Sequence, residues 1–422
     1  MKLLLSIAIL LLILIPMAPV QAAGTMSIDD CYRFALARSE DVAISEQEIA
    51  VARAIYNQAL GSVLPHVSIN ANELLQDSSA IGNDGSVGTT FTRFSRPAVA
   101  VTATQTLFQG FKEFRAIKLS KVNESAKRLL YRNAARLLFQ DVAIAFYTIV
   151  KLERDIAALE KIIQVLRHST RELHKRVELG KNRESEVALV QTQVALLEAN
   201  LESRRGERKV AYDTLAFLTG LDPQPQISYG EPTRVELKSR NDYIAMADGR
   251  VDVQASRDDV TIAQGEVKIR QGDLLPSADV VANYYPYRAG FLNDIKWDAE
   301  FRLGVPVFNW ETVGRIREAK SRAKQAQLRS ELSLRSAVTE IERAYDGYVS
   351  SRRQYEKFRS AAAKAQESYH LQTKDFDLSL INTLDLLQSQ QTWLDALRQR
   401  NTSEAQAWLD WAKLRVNAGI YP

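Results

Sequence analysis

The chain has almost no cysteine, and what is missing narrows the field quickly. Cys31 is alone, so an internal disulfide is excluded. It follows Asp29-Asp30 rather than small residues, which argues against a lipoprotein anchor and for a small, partly buried helix residue. The four histidines, His66, His168, His174 and His370, lack metal-ligand spacing. No Cys-x-x-Cys, no Gly-Lys-Ser/Thr phosphate loop and no Gly-x-Ser-x-Gly elbow occurs. With no nucleophile-base pair standing out, no catalytic, metal or cofactor residue is assigned and no enzyme is expected. Net charge is also slight, +4 from 55 basic and 51 acidic side chains, a mixed-sign surface that gives no case for nucleic acid. Only 18 glycines and 11 prolines are present, gathered in a few clusters, so the remainder is free to form long helices.

Long apolar runs are likewise scarce. Leu3 to Ile15 is apolar apart from Ser6, follows Lys2, and ends before Pro16, Pro19 and the small-residue site Val20-Gln21-Ala22. That is a secretory leader, expected to be cleaved after Ala22, with a retained anchor as the weaker alternative. The next longest run, Val142 to Val150, is under half of the roughly 20 residues a spanning helix needs. A membrane role must therefore use strands.

What is present is a chain that matches itself. At a shift of 211, Asp41, Val42, Ser45, Ala52, Gly61 and Pro65 meet Asp252, Val253, Ser256, Ala263, Gly272 and Pro276. At 200, Phe108 and Arg115 meet Phe308 and Arg315; at 199, Leu179, Gln191, Leu215 and Gly220 meet Leu378, Gln390, Leu414 and Gly419. The unbroken order predicts two repeats, residues 23–220 and 249–422, joined by a linker, 221–248, that holds Pro223, Pro225 and Pro232.

Each half reads helix, strand, strand, long helix, helix. Leu152, Ile156, Leu159, Ile163, Leu166, Thr170, Leu173 and Val177 alternate steps of four and three, and Val187, Val190, Val194, Leu197 and Leu201 continue the seam. Leu334, Val338, Ile341, Tyr345, Tyr348 and Tyr355 repeat it, with Arg352 interrupting. This is coiled-coil spacing. A helix from Gly110 to Leu179 would be roughly 100 Å long, more than a compact globule contains.

Between the helices the period becomes two. Trp297, Ala299, Phe301, Leu303, Val305 and Val307 alternate with Asp298, Glu300, Arg302, Gly304 and Pro306; Val99, Val101 and Ala103 alternate with Thr102 and Thr104. Val67 to Leu75 and Ala278 to Tyr287 are less cleanly patterned strands. Such segments fit a transmembrane barrel or a half-buried soluble sheet equally well. Four strands cannot close a barrel and an open sheet leaves its edges unpaired, so several copies must share one: two give about eight strands, three about twelve. On that reading Trp297, Phe301, Leu303 and Val305 face lipid.

Six local patterns then line up with a known family. Ser27-Ile28-Asp29-Asp30 through Ala35-Leu36-Ala37 opens the chain; Leu64-Pro65 and Leu275-Pro276 turn helix into strand; Leu107-Phe108-Gln109-Gly110 and Val307-Phe308-Asn309-Trp310 turn strand into helix; Arg250-Val251-Asp252-Val253 opens the second half. Over essentially the whole mature length the chain resembles the TolC-like outer-membrane factors, with Val251 and Trp310 where that family usually has proline and glycine. The resemblance implies a mainly α protein with a membrane β-barrel portion: a homotrimer, a 12-stranded barrel continued by an α-helical tunnel. It also implies a periplasmic adaptor (membrane fusion) protein and an inner-membrane pump as partners, outer-membrane lipid around the barrel, and export by tripartite efflux or type I secretion.

The family's functional positions fall at the two helical turns farthest from the barrel. By resemblance Asp385 lies at the pore constriction, with Gln388 at the second ring position and Glu186 paired to Asp385 by the duplication, six carboxylates in a trimer. Ser185 and Glu186 match a polar latch, Phe376 its aromatic partner, Gly180 and Ser379 the turns, and Ile381 stands where the latch arginine would be. Without that arginine, the closed state is expected to rely on Leu380, Ile381 and Leu384. The competing reading is a periplasmic coiled-coil adaptor or scaffold without a pore.

Overall fold

The computed structural model describes residues 25–75, 95–221, 227, 237–289, 293–378 and 380–422. The expected leader, half of the linker, much of the strand connections and Ser379 lie outside the described residues. The elements run α1 (Ile28–Arg38), α2 (Glu40–Gly61), β1 (His66–Leu75), β2 (Ser95–Gln109), α3 (Lys112–Glu178), α4 (Glu184–Thr219), α5 (Arg240–Ala245), α6 (Val251–Gly272), β3 (Ser277–Arg288), β4 (Trp297–Gly304), α7 (Trp310–Asp377) and α8 (Thr383–Asn417). From α2 onward the order helix, strand, strand, long helix, helix occurs twice.

Local chemistry sets the boundaries. Ser27 opens α1 by a reciprocal box: the Asp30 amide donates to its hydroxyl at 3.2 Å and the Ser27 amide donates to the Asp30 carboxylate at 3.2 Å. Asn382 and Asp385 do the same for α8. α3 and α7, of 67 and 68 residues, contain no proline and are each roughly 100 Å long.

Helices this long bury one stripe at a time. In its half nearer the sheet α3 packs between α2 and α6; farther away it packs between α4 and α8, while α7 packs on α6 and then α8. Along the predicted seam Ile156, Leu159, Ile163, Leu166 and Leu173 are buried against Val187, Val190, Leu197 and Leu201. Thr170 is half-buried and returns its hydroxyl to the Leu166 carbonyl, so the polar position costs no unsatisfied group. In the second half Ile341 and Tyr348 are buried, Tyr348 with its ring 5.0 Å from Trp411. Cys31 is wholly buried rather than partly so, in the cluster where α1 seats on α3.

The strands form one antiparallel sheet in the order β1-β2-β3-β4. β4 stops at Gly304, short of the expected Val307, because its partner β3 begins only at Ser277, after Pro276, and Pro306 has no amide to donate. Val305 is therefore exposed but beyond the ladder. β2 runs to 15 residues, with register irregularities opposite Pro286 and at Leu107.

At Gly110 the strand-to-helix turn of the first half meets the end of α6. Gly110 has φ +66°, and a Cβ there would fall 2.3 Å from the Gly272 carbonyl oxygen. At the equivalent position before α7, Trp310 opens the helix with two-thirds of its surface exposed.

Candidate functional site: a two-faced sheet and a clasped helical tip

Cross-strand partners in a pleated sheet point to the same side. Ile69 pairs with Val101, Val101 with Tyr284, and Tyr284 with Trp297; Val67, Ala103, Ala282 and Ala299 form the next row. Along these rows one face is thus apolar on every strand, and Phe301 and Leu303 lie on it, 63% and 65% exposed within one chain. The opposite face carries Ser68, Thr102, Asn283 and Asp298 in one row. Its side chains bond across all four strands: the Asn70 amide donates to the Thr102 hydroxyl (3.1 Å), that hydroxyl to the Asn283 carbonyl (2.8 Å), and the Asn283 amide to Asp298 (2.8 Å). The Tyr285 hydroxyl reaches the other Asp298 oxygen at 2.9 Å. Arg302, on this face, pairs with Glu300 at 2.7 Å. Exposed apolar groups on one side and a hydrogen-bonded polar layer on the other suit a wall between hydrocarbon and water.

At the far end the two helical turns lie together. α3 ends at Gly180, φ +69°, where the Gly180 amide donates to the Val177 carbonyl (2.8 Å) and Lys181 to Arg176 (2.9 Å), a left-handed cap that turns the chain toward α4. Arg176, in the last turn, reaches across to α7. Its guanidinium sits 4.4 Å over the Phe376 ring, donates to the Phe376 carbonyl at 3.3 Å and pairs with Asp377 at 3.1 Å. A cation placed on the C-terminal end of α7 also opposes that helix's dipole.

A second clasp joins the beginnings of α4 and α8. The Thr383 hydroxyl and the Asn182 amide, the latter at 2.8 Å, both donate to the Glu186 carboxylate, and Asn182 also donates to Thr383 at 3.2 Å. The Thr383 hydrogen bond, assisted by Asn182, holds the Glu186 carboxyl below the usual glutamate range. Beneath the clasps Leu173, Val187, Phe376, Leu386 and Trp393 are buried together, with Tyr369 stacked on Trp393 at 5.1 Å.

The expected tip residues therefore occupy different settings. Phe376 is buried and Ile381 half-buried against the same cluster; Gly180, Ser185, Asp385 and Gln388 are exposed. Asp385 spends one carboxylate oxygen on the Asn382 amide. Leu380 and Leu384, 70% and 61% exposed, do not join the packing within one chain. Sequence reasoning missed Arg176, Asn182 and Thr383. A cation in a terminal turn was a visible cue for Arg176, but its partner lies 201 residues away.

Two buried ionic clusters brace the helices between tip and sheet. Asp155 of α3, 4% exposed, takes a forked bond from Arg398 of α8 (2.7 and 3.0 Å) and is 3.3 Å from Arg204 of α4. Arg250, opening α6, forks onto Asp252 at 3.0 and 2.6 Å and reaches Glu340 of α7 at 2.8 Å, which gives the Arg250-Val251-Asp252-Val253 pattern its structural purpose. Among the described residues no group of three or more potential metal ligands occurs, and no helix is long and apolar enough to cross a membrane.

Comparison with known proteins defines the class. The model of the outer membrane efflux protein family matches residues 31–221 and 245–419. In Brucella suis the outer membrane efflux protein BepC is 23% identical over 299 residues, covering 69% of this chain and 65% of that protein. The solved outer membrane protein VceC of Vibrio cholerae superposes with a TM-score of 0.79 at 19% identity, covering 93% of this chain and 96% of that one. The CmeC outer membrane channel of Campylobacter jejuni gives 0.80 at 17%, over 93% and 85%. The MtrE outer membrane channel of Neisseria gonorrhoeae, in its open state, gives 0.78 at 17%, over 93% and 89%. This is the fold of an outer-membrane channel subunit. The chain belongs to the outer membrane efflux protein family.

Proposed function

We propose that the chain is one third of a homotrimeric export duct in the outer membrane, four strands per copy closing a 12-stranded barrel and the helices enclosing a periplasmic tunnel. The observation that carries this is the sheet. Among the described residues its edges β1 and β4 are unpaired, one face carries apolar rows across all four strands, and the other is hydrogen-bonded and polar. An open sheet with an apolar face is tolerated in neither water nor lipid until copies join edge to edge. Trp297, Phe301, Leu303 and Val305 then meet lipid, and the Ser68-Thr102-Asn283-Asp298 row faces the water-filled bore.

The clasped tip is the end that closes. Glu186, Asp385 and Gln388 lie near the constriction, and Gly180 and Ser379, with Ser185, Phe376 and Ile381, supply the latch and the surface for a periplasmic adaptor that links the duct to an inner-membrane pump. BepC, by family, and VceC, CmeC and MtrE, by fold, support the reading of the chain as a duct subunit. Export by tripartite efflux or type I secretion uses the same duct. We also read the repeated element order as a duplication, residues 23–220 and 249–422.

The test is reconstitution into planar bilayers. A duct gives discrete ion conductances, and exchanging Glu186→Gln together with Asp385→Asn lowers its cation preference. Absence of any conductance from a folded oligomer would favour the pore-less adaptor.

A further inference from the structure

Just below the sheet, α3 and α7 carry exposed aromatic residues followed by exposed cations. On α3 these are Phe114, then Lys118 and Lys121; on α7 Trp310, then Arg317 and Lys320. Arg317 lies 5.9 Å from the Trp310 ring. Four further cations at this level are engaged: Lys112 with Asp273 at 2.8 Å, Arg115 with the Lys268 carbonyl at 2.7 Å, Arg315 with Glu311 at 2.6 Å, Arg322 with Glu318 at 2.6 Å. Among the described residues no carboxylate lies within ion-pair distance of Lys118, Lys121, Arg317 or Lys320.

Coiled-coil helices keep one face along steps of seven. From Phe114 and Lys121 those steps lead to Ala135 and Val142, and from Lys118 to Phe139 and Phe146, the positions on which α1 sits. There Tyr32 packs its ring 5.1 Å from Phe139 and donates its hydroxyl to the Ala135 carbonyl. From Trp310 and Arg317 they lead to Val338 and Tyr345, and from Lys320 to Leu334, beside Tyr243 of α5. A duct cannot be lined by α1 and α5, which would block it, so the face they cover is the outside. The unpaired cations therefore point outward, continuous with the apolar barrel face.

Their depth fits a headgroup layer. Lys118 and Arg317 lie about 9–10 Å, and Lys121 and Lys320 about 13–15 Å, along their helices from the helix starts. The polar layer beyond the hydrocarbon is about 5–8 Å thick, and lysine and arginine side chains extend upward toward it. We propose that Lys118, Lys121, Arg317 and Lys320 form an outward collar that binds the anionic headgroups of phospholipids in the leaflet on the helical side, with Phe114 and Trp310 seated at the hydrocarbon boundary. The proposal rests on the barrel reading.

The experiment uses the full oligomer in phosphatidylethanolamine vesicles with or without cardiolipin, extracted and weighed by native mass spectrometry. Wild type retains cardiolipin in preference to phosphatidylethanolamine. Stepwise K118Q, K121Q, R317Q and K320Q exchange lowers retention about fivefold per charge. A control carrying K357Q and K364Q, far down α7, retains it unchanged. Equal retention by wild type and the quadruple variant, with both oligomers intact on gels, overturns the collar, as does equal loss in the control. Displacement of cardiolipin by inorganic phosphate at matched phosphorus concentration also overturns it, in favour of a free-phosphate site. Failure of wild type to float with either vesicle type instead counts against the barrel reading itself.

Discussion

Replacing Gly110 by alanine tests the packing of the two halves against each other where helix meets barrel. The backbone there is left-handed, φ +66°, which costs an L-residue with a side chain roughly 1–2 kcal/mol. The added methyl carbon would lie 2.3 Å from the Gly272 carbonyl oxygen and 3.1 Å from its Cα, atoms of a helix end that can move only by shifting α6. Overpacking of this kind costs about 1–3 kcal/mol more, so the total is about 2–5 kcal/mol. Two other glycines separate the contributions. Gly180 has φ +69° and open space, with nothing within 4 Å of where an alanine methyl would sit, so its exchange carries the backbone cost alone. Gly314 lies within α7, with no positive φ and open space around it, and its exchange to alanine should stabilise by about 0.5–1 kcal/mol. Thermal unfolding of the detergent-solubilised variants, followed by circular dichroism, should rank Gly314→Ala above wild type, then Gly180→Ala, then Gly110→Ala. A Gly110→Ala protein that melts with or above Gly180→Ala would refute the close approach.

Leu303→Arg should cost about 2–4 kcal/mol of barrel stability if the residue lies near the bilayer midplane, whereas exchange of Arg302 on the polar face costs far less. Refolding yields in vesicles compare the two, and equal tolerance would reverse the assignment of the faces. The Glu186 clasp is pH-dependent with a defined sign: its folded-state pKa is lowered, so its stabilisation is complete above the unfolded value, about 4.3, and is lost as pH falls through the lower folded value. Channel opening in bilayers should therefore rise only on acidification below the ordinary glutamate range, and Glu186→Gln should remove that step; an unchanged profile in the variant would assign the step to another group. Burial pushes the Cys31 thiol up to about 11, so the native protein should resist thiol reagents and react only once α1 detaches from α3. Rapid labelling under native conditions would contradict the seating of α1.

The helical part of this fold was legible because heptad spacing is local. Leu159, Ile163 and Leu166 reveal their shared face without reference to any partner, and the structure buries all three. β4 was legible for the same reason, its alternation being complete from Trp297 to Leu303. β1 and β3 were legible as strands, Val67 to Leu75 and Ala278 to Tyr287, but their two faces were not, because Asn70 and Asn283 acquire their meaning only when Thr102 lies between them, and Pro286 shifts the register of β3 against β2. The end of β4 depended on where another strand begins. At the tip, the two turns could be placed but the bonds across them could not: Arg176 finds Asp377, and Glu186 finds Thr383, only when two hairpins distant in sequence are packed side by side. Trp310, in a usual glycine position, keeps two-thirds of its surface exposed within one chain.

The most direct test of the account is the mass of the mature protein extracted from outer membranes in mild detergent, by light scattering with the detergent contribution subtracted. The sheet with two unpaired edges and one apolar face predicts three copies per particle and no stable monomer. A monodisperse monomer, soluble without detergent, would contradict the barrel and with it the duct.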